Sequence, residues 1–324
     1  MRPISSILVP IRNYSARSLP VVKKAAQLAA ALNAKLELFH DLAIPIPVET
    51  LGRLRYTLRG VKANARRPAI EGLERLAAPL RVGGLTVSTA VAWDYPPSEA
   101  ILRRAVAIKA GLIVAPCRER HRLPALLGYT DWELLRLSPV PVLLVKTSTP
   151  YRRPTVLAAI DPTHAHAKAS ALDQRILDYG AQVGGALRGA LHIVHAYMPR
   201  PLPPTATFDT KRRKSLLADV EREARKTFDD ALRKRTIPAL RRHLVRGDPT
   251  DVIPATARKT GSAIVVIGSV SRSALKRLFI GNTAESVMDE LRCDLLVVKP
   301  AKFPLKGPRA RRGPEFISTA PALL

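Results

Sequence analysis

The chain has 324 residues, 47% of them hydrophobic, which is enough for about two domains that each bury a core. Its net charge of +27 points to anionic partners (nucleic acid, nucleotides or acidic membrane surfaces), yet the excess is spread as +12 over residues 1–150, +11 over 151–300 and +4 over the last 24, where a single nucleic-acid-binding arm would concentrate it. Two cysteines exclude a disulfide framework and suit a reducing compartment, Met1 to Arg12 lacks the apolar stretch of a signal peptide, and no run of about 20 apolar residues predicts a membrane span, so a cytoplasmic protein is expected.

An apolar run at 7–11 reads as a strand, and the Ala-, Leu- and Lys-rich stretch 21–32 as a helix. A short strand follows at 35–39. Beyond a Pro-broken loop a long helical pattern runs near 51–80, with Pro68 a possible kink. Residues 85–92 alternate like a strand, 99–109 are helical, 112–115 form a buried strand, 132–137 a helix and 140–145 a strand. The second half repeats the order, with strands at 156–160, 191–196, 241–245, 263–267 and 295–298 and helices near 169–183, 214–235, 251–259 and 284–291. Strands alternating with helices imply parallel βαβ units.

The halves also align directly. Residues 126–146 and 279–299 match without a gap over 21 positions with five identities, an old repeat of whole-domain period. The expected fold is α/β, as two tandem doubly wound (Rossmann-like) domains at 1–147 and 154–300, each with a five-stranded parallel sheet. The polar seam 147–154 separates them, and 301–324 is expected to be a disordered basic tail. The last strand of each domain has a continuous apolar centre, so self-pairing of the two domains through these strands is expected.

The segment from Ile264 to Ala284 is the most informative. A buried strand ends at Gly268, a polar basic loop with Ser269, Ser271, Arg272, Lys276 and Arg277 follows, and Gly281 opens a helix at Asn282 and Thr283. Free N–H groups at a helix start take anions, and open parallel sheets bind ligands beyond the carboxyl ends of their strands. Asp161, at the end of another strand, offers a carboxylate to a ribose or base. An anion or nucleotide site and a solvated glycine-punctuated loop both fit this pattern.

Over residues 4–300 the sequence resembles the universal stress protein family in its tandem-domain UspE type, most closely in Gly268-Ser-Val-Ser-Arg-Ser, Phe279-Ile-Gly-Asn-Thr-Ala-Glu285 and Leu291 to Pro300, with a second similar stretch at Thr130 to Leu135. The resemblance implies a stress-responsive regulatory or ligand-binding protein. ATP-binding members carry G-x2-G-x9-G-[S/T]. Gly268 and Gly281 match the first and third Gly, Ser271 stands for the second, and Asn282 stands for the Ser or Thr. Asp161 matches the family's nucleotide-contacting Asp, and Ala196 lies where a Val packs on adenine. The resemblance thus implies ATP, another nucleotide or another anionic small molecule in the second domain. Ser at 271 resists the positive φ that Gly allows. In the first domain Pro116 replaces the Gly, Glu119 adds negative charge and Arg12 replaces the Asp, so no ATP site of the family type is expected there. Arg12, Arg118, Arg120 and Arg122 would suit a different anion.

No catalytic residue emerges. There is no G-x-S-x-G elbow, P-loop or supported acid–base pair, and an ATP-hydrolysing enzyme lacks a visible base. No metal site is expected, since His164, His166, His192 and His195 have no zinc spacing, and 192 and 195 fall on opposite faces of one strand. Cys293 reads as inert; arginines near Cys117 would lower its pKa. The basic stretch 211–235 is interrupted by five acidic residues and has few aromatics. A non-specific nucleic-acid-associated protein using this surface is the alternative function, with weak, salt-dependent binding expected.

Overall fold

A computed structural model of the chain describes residues 3–14, 19–42, 58–117, 130–163, 170–199, 210–269, 282–300 and 315–319. Two compact units divide it: unit 1 comprises residues 1–151 and 303–324, unit 2 residues 152–302.

In unit 1, strands β1 (Ser6–Pro10), β2 (Lys35–Asp41), β3 (Val87–Trp93), β4 (Leu112–Pro116) and β5 (Val142–Val145) alternate with helices α1 (Leu19–Leu32), α2 (Leu58–Val82), α3 (Pro97–Ala107) and α4 (Thr130–Leu137). The strands lie in the order β3-β2-β1-β4-β5, all parallel. β1, β4 and β5 are buried almost throughout because helices cover both faces, which is why they read as unbroken apolar runs. Helix α2 runs through both Pro68 and Pro79.

Unit 2 repeats the plan. β6 (Thr155–Ala159), β7 (Ala190–Tyr197), β8 (Arg242–Arg246), β9 (Ser262–Gly268) and β10 (Asp294–Val298) alternate with α5 (Ser170–Ala186), α6 (Thr210–Leu232), α7 (Pro249–Lys259) and α8 (Asn282–Glu290). The order is β10-β9-β6-β7-β8, again parallel. Asp248 caps α7 by accepting from the Thr250 N–H, with Pro249 at the first helical position.

Unit 1 departs from the expected five strands. The tail expected to be disordered contains a strand, β11 (Glu315–Thr319), which pairs antiparallel with β3 in the register Glu315↔Trp93 to Thr319↔Thr89. A single short strand among Pro, Gly and Arg has no periodicity of its own; its order comes from the ladder it joins. Strands β3 and β8, each last in its unit's row of parallel strands, are thereby protected differently. β3 (Val-Ser-Thr-Ala-Val-Ala-Trp) carries no charge and is covered by β11, whereas β8 begins and ends with arginine. Unpaired edges recruit foreign strands unless covered or charged. Deleting residues 301–324 should therefore produce concentration-dependent self-association in sedimentation velocity. A truncated chain that sediments as the full-length chain does would show that β3 needs no cover.

Candidate functional site

The first strand of unit 2 delivers Asp161 to the carboxyl end of the sheet, and the peptide that carries it is held from two sides. The Asp161 N–H donates to Asp173 Oδ1 of α5 at 3.1 Å. The preceding carbonyl, Ile160 O, lies 3.2 Å from His195 Nδ1 on β7. This contact makes Nδ1 the protonated ring nitrogen and leaves Nε2 a buried acceptor without a partner among the described residues. Burial holds the His195 pKa below its ordinary value, against the pull of Asp161. Burial pushes Asp173 up to about 7, an effect that the Asp161 N–H opposes and the Asp161 charge reinforces. The Asp161 carboxylate is half-buried and its Oδ1 accepts from Thr163 Oγ1 at 2.6 Å.

Neighbouring strand ends complete the arrangement. The β6–β7 ladder ends with Ala159 against Val194; Asp161 follows the end of β6, and Ala196 lies two residues beyond Val194 on β7. On the other side of β6, β9 ends at Gly268. A Cβ there would lie 2.7 Å from Leu172 Cδ2, so the glycine is required first by the close packing of α5. Ser269 is 1% exposed; its hydroxyl accepts from Lys299 Nζ at 2.9 Å and its N–H donates to Val298 O. Lys299 thereby fixes the hydroxyl that the motif assigns to a ligand. Arg175 Nε of α5 donates to Lys299 O at 2.8 Å, fastening the same corner. Asp161, Ala196, Gly268 and Ser269 thus lie at or just beyond the carboxyl ends of the neighbouring strands β6, β7 and β9. Asn282 and Thr283 open α8, while Ser271 and Gly281, with His164 and His166, lie outside the described residues.

The sequence model of the universal stress protein family matches this chain twice, at residues 3–146 and 153–299. The chain belongs to the universal stress protein family. It is 30% identical over 231 residues to universal stress protein E of Salmonella typhi, covering 68% of this chain and 70% of that protein, so it is a tandem, UspE-type member. A protein of unknown function from Pseudomonas aeruginosa PAO1 has a similar structure, with a TM-score of 0.70, 29% identity and coverage of 93% of this chain and 94% of that one. A universal stress protein from Archaeoglobus fulgidus shares the fold at a TM-score of 0.60 and 18% identity, covering 92% and 99%.

Within this universal stress protein the two units keep one scaffold and invert its charges. In unit 1 His40 Nδ1 lies 2.6 Å from Ile11 O, the counterpart of the His195 contact, and burial again lowers its pKa. The residue presented is Arg12, which is exposed. Lys24 is 1% exposed; its Nζ donates to Thr147 Oγ1 at 2.6 Å and sits 4.8 Å from the Tyr151 ring centroid. Gln27 bonds both the N–H and the carbonyl of Tyr151, so α1 of unit 1 fastens the start of the seam. Pro116 ends β4 without an N–H to offer.

A second repeated position differs too, with an ion pair in one unit and a histidine pair in the other. In unit 1 Glu37 on β2 takes Arg104 and Ser88. In unit 2 His192 Nδ1 and His243 Nε2 meet at 3.0 Å with stacked rings, and burial lowers both pKa values. His192 faces this pair while His195 faces Phe228 of α6, on opposite sides of β7 as their spacing requires. Among the described residues no three His, Cys, Asp or Glu side chains gather as metal ligands, and no helix is long and apolar enough to cross a membrane. The basic helix α6 pairs Arg222 with Asp219 and Arg225 with Glu221, and Asp229 with Arg242, so its charges are interleaved and the nucleic-acid alternative gains no support.

Proposed function

We propose that this universal stress protein is a cytoplasmic, stress-responsive regulatory protein that binds a ligand and does not turn it over, and that unit 2 takes a nucleotide-like anionic ligand at the carboxyl ends of β6, β7 and β9. The observation that carries this reading is the clamped peptide of Asp161, which follows β6 at the carboxyl end of the sheet, where the neighbouring β7 carries Ala196 and β9 ends at Gly268. A carboxylate there accepts hydrogen bonds from ribose hydroxyls or a base amine. The start of α8 supplies N–H groups for a phosphate. In unit 1 Arg12 and Pro116 remove both halves of that chemistry.

Isothermal calorimetry of the full chain with ATP tests the assignment. One site per chain is expected, abolished by Asp161→Ala or Gly281→Val and untouched by Arg12→Ala. Two equivalent sites, or a site that survives Asp161→Ala, would remove the asymmetry on which the reading stands.

A further inference from the structure

We propose that Asp173 is a positioning residue for Asp161, held in its protonated form by the fold, so that the two carboxyl groups together present a single negative charge to the ligand of unit 2. The inference rests on the nucleotide reading for its ligand and on the geometry of unit 2 for its proton.

Asp173 is 4% exposed and accepts one hydrogen bond, from the Asp161 N–H at 3.1 Å, while its Oδ2 is buried and unpartnered among the described residues. A buried carboxylate with a single donor is costly, and a second carboxylate close by makes ionisation costlier still. The surrounding charges offer little relief. On α5 itself Arg175 is turned to Lys299 O and the Tyr179 ring, and Asp178 to Arg235 beyond α6. Asp161 follows β6, His195 on β7 is committed to Ile160 O, β9 contributes no charged side chain, and Lys299 after β10 holds Ser269. Burial and then Asp161 push the Asp173 pKa to about 7.

The repeat differs at the presented residue: Arg12 stands in unit 1 where Asp161 stands in unit 2, while the histidine clamp is the same.

The linkage has a definite sign. A carboxyl whose folded pKa is raised from 3.8 to about 7 binds its proton more tightly in the folded state. Stability is then lost as pH rises through that interval, by about tenfold in the folding equilibrium per pH unit, and is constant above it. Urea unfolding of the full chain and of Asp173→Asn from pH 5 to 8 should therefore give a difference profile that slopes and levels near 7. A flat difference would overturn the proposal. Aspartate-carboxyl NMR of the unaltered chain needs no variant and should reveal one carboxyl titrating near neutrality; if every aspartate titrates below pH 5, the proton is not there.

ATP is the probe for the ligand. Affinity should fall by about tenfold across pH 6–8 in the parent beyond any fall in Asp173→Asn, because a second negative charge then enters the cleft. Asp173→Asn keeps an acceptor for the Asp161 N–H and should bind at pH 6, and Asp173→Ala should not. Equal pH profiles in parent and Asn variant would overturn the coupling. A neutral-range carboxyl without any ATP binding would sink the nucleotide reading and leave the protonated Asp173 standing.

Discussion

Arg104→Met should lower the stability of unit 1 by about 3–5 kcal/mol, because it strands a buried carboxylate. Arg104 Nε and Nη2 grip Glu37 Oε1 and Oε2 at 2.6 and 2.8 Å, and the side chains are 10% and 7% exposed. Ser88 Oγ at 3.3 Å is a weak second donor and cannot replace a guanidinium. Both tryptophans of the chain, Trp93 and Trp132, lie in unit 1, so their fluorescence during urea unfolding reports this unit. Glu37→Met combined with Arg104→Met should recover most of the loss, since an apolar pair of similar volume leaves no charge behind. The exposed pair Arg67–Glu71 on α2 serves as the control, and its removal should leave the curve unmoved. A mild Arg104→Met, or a double variant worse than the single, would show that the pair is solvated.

A comparable loss is expected in unit 2 from a single added methyl group. A Cβ on Gly189 would fall 2.0 Å from Pro154 O, a backbone atom that cannot swing aside. The same carbonyl accepts from Ala190 N at 3.0 Å and thereby starts the pairing of β6 with β7. Gly189→Ala must part these strands at their origin and should cost about 3 kcal/mol or more. Gly185, four residues earlier at the end of α5, has open space for 4 Å around the point where a methyl group would stand, so Gly185→Ala should be neutral or stabilise by up to about 1 kcal/mol. Backbone circular dichroism, read beside the tryptophan signal, separates this unit's transition. Equal midpoints for the two alanine variants would refute the argument from backbone contact.

The alternation of elements is legible because buried parallel strands must be apolar on both faces. Leu112 to Ala115 and Leu295 to Val298 admit few other readings, and the structure places strands over both. Asp161, Ala196 and Gly268 emerge through the family motif, and they lie at the carboxyl ends of the neighbouring strands β6, β7 and β9. Asp173 escapes a sequence reading because a lone carboxyl in a helical pattern looks solvent-facing; only tertiary packing buries it. His195 reads as structural, and its clamp on Ile160 depends on strand register, which a single sequence does not carry. The signal is nonetheless present in the repeat, where His40 and His195 recur on the second strand. The motif puts Ser269 at a ligand; that its hydroxyl accepts from Lys299, thirty residues away in sequence, depends on tertiary packing.

The β3–β11 ladder has a consequence for biosynthesis. A ribosome makes the chain from its first residue, so β3 is complete long before residues 315–319 exist, and all of unit 2 is synthesised in between. Throughout that interval the nascent first unit carries an uncharged open strand. On crowded polysomes such a strand is a site where neighbouring nascent chains can join. The segment that closes it is made only after unit 2, so the folding of the first unit is finished by a piece of chain synthesised after the second.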